Sequence, residues 1–521
     1  MKFSEIINDQ QLATEAIRRW ITTAVCIVVA IVVAIWIAAG QFFFLALLAG
    51  VAVAAFVTVG LQRNAWILIV VAWSLTGSIH ALSVPLETRD IVILVVTFSY
   101  LVQRVIGQTE RRSTGVLGKL VAINCAYIAF TFVCHPVGLQ TFGAETVGGR
   151  PYFKIFIAWC AYLIIAHMPD SYKSVTRIPL WLMASITVSA ALALVVYIVP
   201  SITPYVWYFY SDIDVTDYLK GPAATAEVRG ANRFLALAPF GLMLVQVLSA
   251  YFPPRTLINP LRWRSYLLLL GFVAILASGF RNTLLFAVAS LALGSWFHRG
   301  WRDVVIGGVI GTLFIAFLVF GQGRYFELPL SAQRALGSLP GQWDDVIKDE
   351  VKISNSRWDW WRRIIEEGTI KNWWIGDGFG LTEKDYATIS SGKAAFEDAA
   401  TLTGSFHSGP LTAIRNVGVV GLILFYALMI VAAVYSVKCI HRCRGTPLLP
   451  VAIFLAIQLV WSPIHFALVF GSYDLQVTEH LFMVGLLSVV WYMSEHTPPS
   501  TASALTAQNL SRNNGRTPGS T

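Results

Sequence analysis

The feature that most constrains this chain is a recurrence. Apolar runs of about 17 to 22 residues return from residue 21 to residue 494, separated by polar segments that are mostly short. At ~1.5 Å rise per residue, a helix of that length crosses a ~30 Å hydrocarbon core, and its backbone satisfies its own hydrogen bonds there. The runs lack the alternation of transmembrane strands. Composition agrees: 56% of the 521 residues are hydrophobic and only 13% are charged, with a mean hydropathy of +0.64. Such values exclude a soluble globular chain. The sequence predicts an all-α polytopic membrane protein.

The runs predict about 14 (12 to 14) transmembrane helices, at 21–39, 42–61, 65–82, 91–107, 116–134, 152–168, 178–199, 232–251, 264–279, 282–298, 304–321, 416–437, 448–470 and 481–494. The first run follows Arg18 and Arg19 without an Ala-x-Ala cleavage pattern and is expected to be a retained span. Placing the N-terminus in the cytoplasm makes both termini internal. Basic residues then collect on internal segments such as Arg18–Arg19, Arg111–Arg112, Arg262–Arg264 and Lys438–Arg444. The short external loops receive only Arg89, Arg150, Lys154, Lys220, Arg229, Arg233 and Arg281. This is the positive-inside pattern, and it accounts for most of the +9 net charge without any nucleic-acid partner.

Two external segments remain, 200–231 and 322–415, and a loop of the second one's length is usually functional. The expected organisation is a transmembrane bundle over 1–321, a large external (periplasmic) loop with short helices over 322–415, transmembrane helices over 416–494 and a disordered cytoplasmic tail over 495–521. No phosphate-binding or dinucleotide glycine motif occurs, so an ATP-driven pump is disfavoured. The six cysteines form neither a disulfide framework nor a zinc set.

Chemistry-bearing residues gather in the long loop and at its exit. Ser356–Gly380 reads SRWDWWRRIIEEGTIKNWWIGDGFG, an amphipathic helix with Trp358, Trp361, Ile364 and Ile365 on one side, then a glycine-rich turn with close backbone approach. Gly404–Phe425 reads GSFHSGPLTAIRNVGVVGLILF. Ser408 is positioned as a cap and Pro410 suits a first helical turn, so His407 sits at a helix mouth where exposed N–H groups favour an anion. Ionisable groups are costly at a membrane helix, which makes a functional reading the default.

The order of these segments resembles the O-antigen ligase and O-antigen polymerase superfamily. The Ser356-Arg357 helix, the glycine-rich turn, His407 at a helix entrance and Gly418-Val-Val-Gly421 carry the resemblance. Ser278-Gly-Phe-Arg281 resembles that family's arginine-bearing hairpin, and Val228-Arg229-Gly-Ala-Asn232-Arg233 its earlier Arg/Asn segment. The resemblance implies a metal-independent, inverting glycosyltransferase of the bacterial inner membrane, without cofactor. It would move a glycan from a polyprenyl-pyrophosphate carrier to a lipid or polysaccharide hydroxyl on the external face. It implies His407 and Arg281 as catalytic residues, with Arg229, Arg233, Arg357 and Arg415 binding substrate. Guanidinium groups suit that task because they match phosphate geometry and keep their charge.

Competing readings exist for each. Arg281 in an external turn is also what a snorkelling cation would look like. Arg415 inside the helix either faces the same cavity or pairs with an external acid. The Trp358, Trp360, Trp361, Trp373 and Trp374 group reads as sugar-stacking platforms or as an interfacial belt. Asp212-Ile-Asp214 is shaped like a metal-binding Asp-x-Asp but sits in an expectedly solvated loop. At the level of the whole chain the alternative is a polysaccharide or lipid-glycan flippase without covalent chemistry, which would place charge along the midplane of repeated, discontinuous helices.

Overall fold

The computed structural model describes residues 60–61, 64–79, 86–105, 112, 114–136, 149–168, 171–210, 234–355, 357–379, 404, 406–469 and 471–496. The predicted span 21–39, nearly all of 42–61, Arg229, Arg233, the Asp212–Asp214 pair and the tail from Thr497 lie outside the described residues. Contacts divide the chain into two units, Met1–Gln62 and Arg63–Thr521. The second is described here.

The structure is all-helical: among the described residues there is no strand, only the isolated bridges Ser78↔Glu87 and Gln322↔Phe326. Six described segments are long and apolar enough to cross a membrane: Gly115–Cys134, Ile178–Ile198, Trp301–Gly321, Gly409–Cys443, Leu449–Val469 and Tyr473–His496. Leu237–Tyr251 and Trp263–Ser278 are apolar but shorter. Thr88–Val105, Arg150–His167 and Arg281–Arg299 carry charge at their ends. Trp301–Gly321 exposes Val305, Leu313, Phe314, Phe317 and Phe320. So continuous an apolar face is stable against hydrocarbon and not against water.

One run folds differently from its expectation. Among the described residues of the stretch 65–82, the helix covers Trp66–Ala72 alone. The chain then turns, and the carbonyls of Leu75 and Gly77 accept the backbone N–H groups of Arg89 and Thr88. These bonds replace helical ones, so continuity of hydropathy outlasts continuity of the helix.

The helix Gly409–Cys443 packs against Gly115–Cys134, Leu449–Ile464 and Tyr473–His496, and the last of these lies along Arg150–His167. A second group joins Leu237–Tyr251 to Ile178–Ile198, Trp263–Ser278 and Arg281–Arg299. Between 322 and 408 the described chain forms three short helices, Leu330–Leu336, Asp345–Asn355 and Arg357–Glu366. The last has a different buried side from the one expected. Ile364 is buried with Trp360 and Trp361 packed around it, whereas Trp358 and Ile365 are exposed. The partner decides this, because Ile364 closes on Ile370 and Phe406 rather than on a bilayer surface.

Candidate functional site

The backbone around Gly418 organises the site. Gly409–Cys443 is two helical pieces joined at Gly418, whose φ of 70° and ψ of 178° are non-helical. A break leaves carbonyls before it and N–H groups after it without helical partners, and buried backbone groups must be paired. The segment 373–378 supplies the partners. Asp377 N donates to Arg415 O at 2.7 Å and Gly378 N to Asn416 O at 3.1 Å, while Val419 N donates to Trp373 O at 2.8 Å and Val420 N to Trp374 O at 3.4 Å. Tyr127 Oη donates to Val417 O at 3.0 Å. The loop is thereby knitted into the helix.

Two glycines permit this approach. A Cβ on Gly418 would stand 2.1 Å from Trp374 O, and one on Gly376, at φ 84°, would stand 2.5 Å from Val417 N. Both positions combine a left-handed backbone with contact to another backbone, which only glycine tolerates.

Arg415 locks the turn from the other side. Its Nε lies 3.6 Å from Asp377 Oδ2, and its NH1 donates to Gly378 O at 3.0 Å. The Asp377 carboxylate also accepts the backbone N–H groups of Lys371 and Asn372, at 3.1 and 2.9 Å. Of the two readings of Arg415, pairing with an acid is the one these contacts display. Asp377 is the residue that sequence reasoning missed; its signal was an acid between two glycines in a turn already read as a close approach.

His407 stands at the entrance of the first helical piece. It is the one described non-glycine residue with positive φ, at 53°. Its neighbours fix it: Phe406 is fully buried, and Phe406 O accepts Trp361 Nε1 at 2.7 Å. Gly409, on the other side, lies against the backbone of Phe466. Ser408 occupies the cap position, but its side chain makes no capping bond; its carbonyl accepts Thr412 N at 2.9 Å. The imidazole is therefore held on a left-handed backbone, half-buried, beside a helix start whose first N–H groups carry positive partial charge.

Arg281 opens the helix Arg281–Arg299, after Gly279 ends the preceding helix in a left-handed turn. Its Nε donates to Arg334 O at 2.8 Å, which ties it to the short helix Leu330–Leu336. One of the five guanidinium donors is thus used to fix the orientation of the others. Arg357 is the first residue of the helix Arg357–Glu366, the helix that grips Phe406. Arg229 and Arg233 lie outside the described residues.

A path of contacts runs from one site segment to the other. Phe286, five positions after Arg281, packs against His465 at 6.0 Å between ring centroids, and the adjacent Phe466 meets Gly409. Phe379, at the end of the clamped turn, donates its N–H to Tyr152 Oη at 3.2 Å and stacks on Tyr473. The clamped turn thus touches the starts of Arg150–His167 and Tyr473–His496, and the helix of Arg281 is linked to the start of Gly409–Cys443 through Phe286, His465 and Phe466.

Among the described residues no group of three or more His, Cys, Asp or Glu side chains is arranged to hold a metal ion. No curated protein matches the chain. Residues 266–426, which hold Arg281, Arg357, the clamped turn, His407, Arg415 and Gly418, do match the family model Wzy_C, described as O-antigen ligase. The likeness to the O-antigen ligase family is thus shown over this segment, in a chain whose helices are those of a membrane protein.

Proposed function

We propose that the protein is a glycosyltransferase of the inner membrane. It moves a glycan from a polyprenyl-pyrophosphate carrier to a hydroxyl of a lipid or polysaccharide acceptor, on the external face, with both termini in the cytoplasm. The observation that carries the reading is His407. It is held in a left-handed conformation at a helix mouth, inside the segment that matches the O-antigen ligase family.

In this reading the segment 322–415 is the catalytic loop. Arg281, with Arg229 or Arg233 and with Arg357, binds the pyrophosphate. Guanidinium groups there would neutralise the charge that develops as the glycosidic bond breaks, which is where most of the rate enhancement arises. His407 accepts the proton of the acceptor hydroxyl or orients that hydroxyl, a contribution of about 10²–10⁴-fold. Attack on the anomeric carbon from the face opposite the pyrophosphate gives one displacement and inversion. Arg415, engaged with Asp377, acts by holding the loop to the helix.

The test is transfer in vitro from a polyprenyl-pyrophosphate glycan, with the anomeric configuration of the product read by NMR, with and without EDTA. Inverted product formed at the same rate in EDTA is expected. Retention, or a rate abolished by EDTA, contradicts the mechanism.

A further inference from the structure

A cavity of about 230 Å³ lies between Arg281–Arg299, Leu449–Val469 and Tyr473–His496, at the end of the bundle where Gly409 meets Phe466. Phe286, Trp461 and His465 supply aromatic lining, and Gln458, Ser462, Gln476, Glu479 and His480 supply polar lining. Polar groups inside membrane helices are expensive and mark sites by default.

Its hydrogen bonding is only partly satisfied. Gln458 Nε2 donates to Gln246 Oε1 at 2.6 Å, and Gln476 Nε2 donates to Ser462 Oγ at 2.9 Å. Glu479 is fixed by Trp73 Nε1, 3.0 Å from its Oε2. Each amide thus spends one of its two N–H donors on a neighbour, so the cavity keeps amide N–H donors beside the amide oxygens and the carboxylate as acceptors. The Trp461 indole N–H is buried and has no acceptor among the described residues. No Lys or Arg lines the cavity.

A cavity that mixes such donors and acceptors around a carboxylate, with no cation, disfavours a phosphate and favours a neutral polyhydroxyl ligand, whose O–H groups both donate and accept. Aromatic faces beside such acceptors suit the C–H face of a pyranose ring, and the volume suits about one ring. We propose that this cavity is a binding subsite for a neutral monosaccharide unit, distinct from the arginines that would hold the pyrophosphate. Its role as the subsite for the acceptor's sugar rests on the transfer reading; its binding chemistry does not.

The experiment is binding without donor. The full-length chain in nanodiscs is titrated with D-glucose, D-galactose and N-acetyl-D-glucosamine, read by saturation-transfer NMR with choline as cationic competitor. At least one sugar is expected to bind, and choline is not expected to displace it. Trp461→Phe and Gln476→Leu should each weaken binding by about 3- to 10-fold, the worth of one hydrogen bond. Met483→Trp, which fills the cavity without removing a hydrogen bond, should abolish binding while the melting temperature holds. Absence of binding by all three sugars, binding indifferent to these substitutions, or displacement by choline overturns the proposal. No transfer is measured, so its failure and that of the transfer reading are separately visible.

Discussion

Single residues carry the geometry at the helix break. Gly418→Ala would place a Cβ within 2.1 Å of Trp374 O on a backbone of φ 70°. A backbone carbonyl cannot step aside as a side chain can, so a loss of at least about 1–3 kcal/mol is expected, read as a lowered melting temperature in detergent. Asp377 joins a carboxylate to two backbone N–H groups and to Arg415. Asp377→Ala removes three partners at once and should cost about 2–4 kcal/mol locally, given charge-assisted bonds of ~1.5–3 kcal/mol gross and partial solvent replacement. Faster hydrogen exchange over 371–379 would record it; unchanged exchange would refute the clamp. His407 needs a substitution that respects its backbone. Asn tolerates positive φ, so His407→Asn should fold like the parent and isolate the imidazole.

At the scale of elements, the loop and the helix are one unit. The helix alone would leave the carbonyls of Arg415 and Asn416 unpaired, and the turn, though braced internally through Asn372 and Asp377, would lose its four backbone bonds to the helix. The helix Arg357–Glu366 adds a second hold through Trp361 and the Phe406 carbonyl. Trp361→Phe keeps an aromatic ring but loses that bond and part of the indole packing, about 1–3 kcal/mol. Limited proteolysis should then cut more readily between 357 and 379, with little change elsewhere. Much of this region was legible in sequence: the helix at Ser356, the close-approach turn and His407 at a helix mouth each follow from local chemistry. The break at Gly418 was not, because Gly-Val-Val-Gly inside an apolar run reads as uninterrupted helix. Nor was the buried side of the loop helix, since Trp358 and Trp361 differ only in what they meet.

Across the whole molecule, the hydropathy pattern placed most of the long described helices within a few residues of their observed ends, but began 416–437 and 481–494 seven and eight residues after the observed starts at Gly409 and Tyr473. It failed at 65–82, where bonds to Thr88 and Arg89 replace helical ones. Three residues that stand against the positive-inside pattern prove to share one partner. Arg89 NH2 and Lys154 Nζ each lie 2.7 Å from the Glu87 carboxylate, with Arg150 NH2 at 4.0 Å, and all but partly exposed Lys154 are buried. Their charge is thus offset locally; sequence distance hid the pairing of Arg150 and Lys154, though not that of Arg89, two residues from Glu87. Glu87→Gln removes the charge that these cations share and leaves Asp90, 4.0 Å from Arg89 Nε, as the nearby acid; a loss of up to about 3–5 kcal/mol is expected, with a lower melting temperature and poor membrane yield.

The central claim is that His407 and Arg281 serve glycan transfer. The most direct test follows polyprenyl pyrophosphate release and acceptor glycosylation together, in nanodiscs, for the parent, His407→Asn and Arg281→Ala at matched melting temperature. The account predicts one pyrophosphate lipid released per glycosidic bond by the parent, and a rate lowered by about 100-fold or more in each variant. Normal transfer by both folded variants would contradict it.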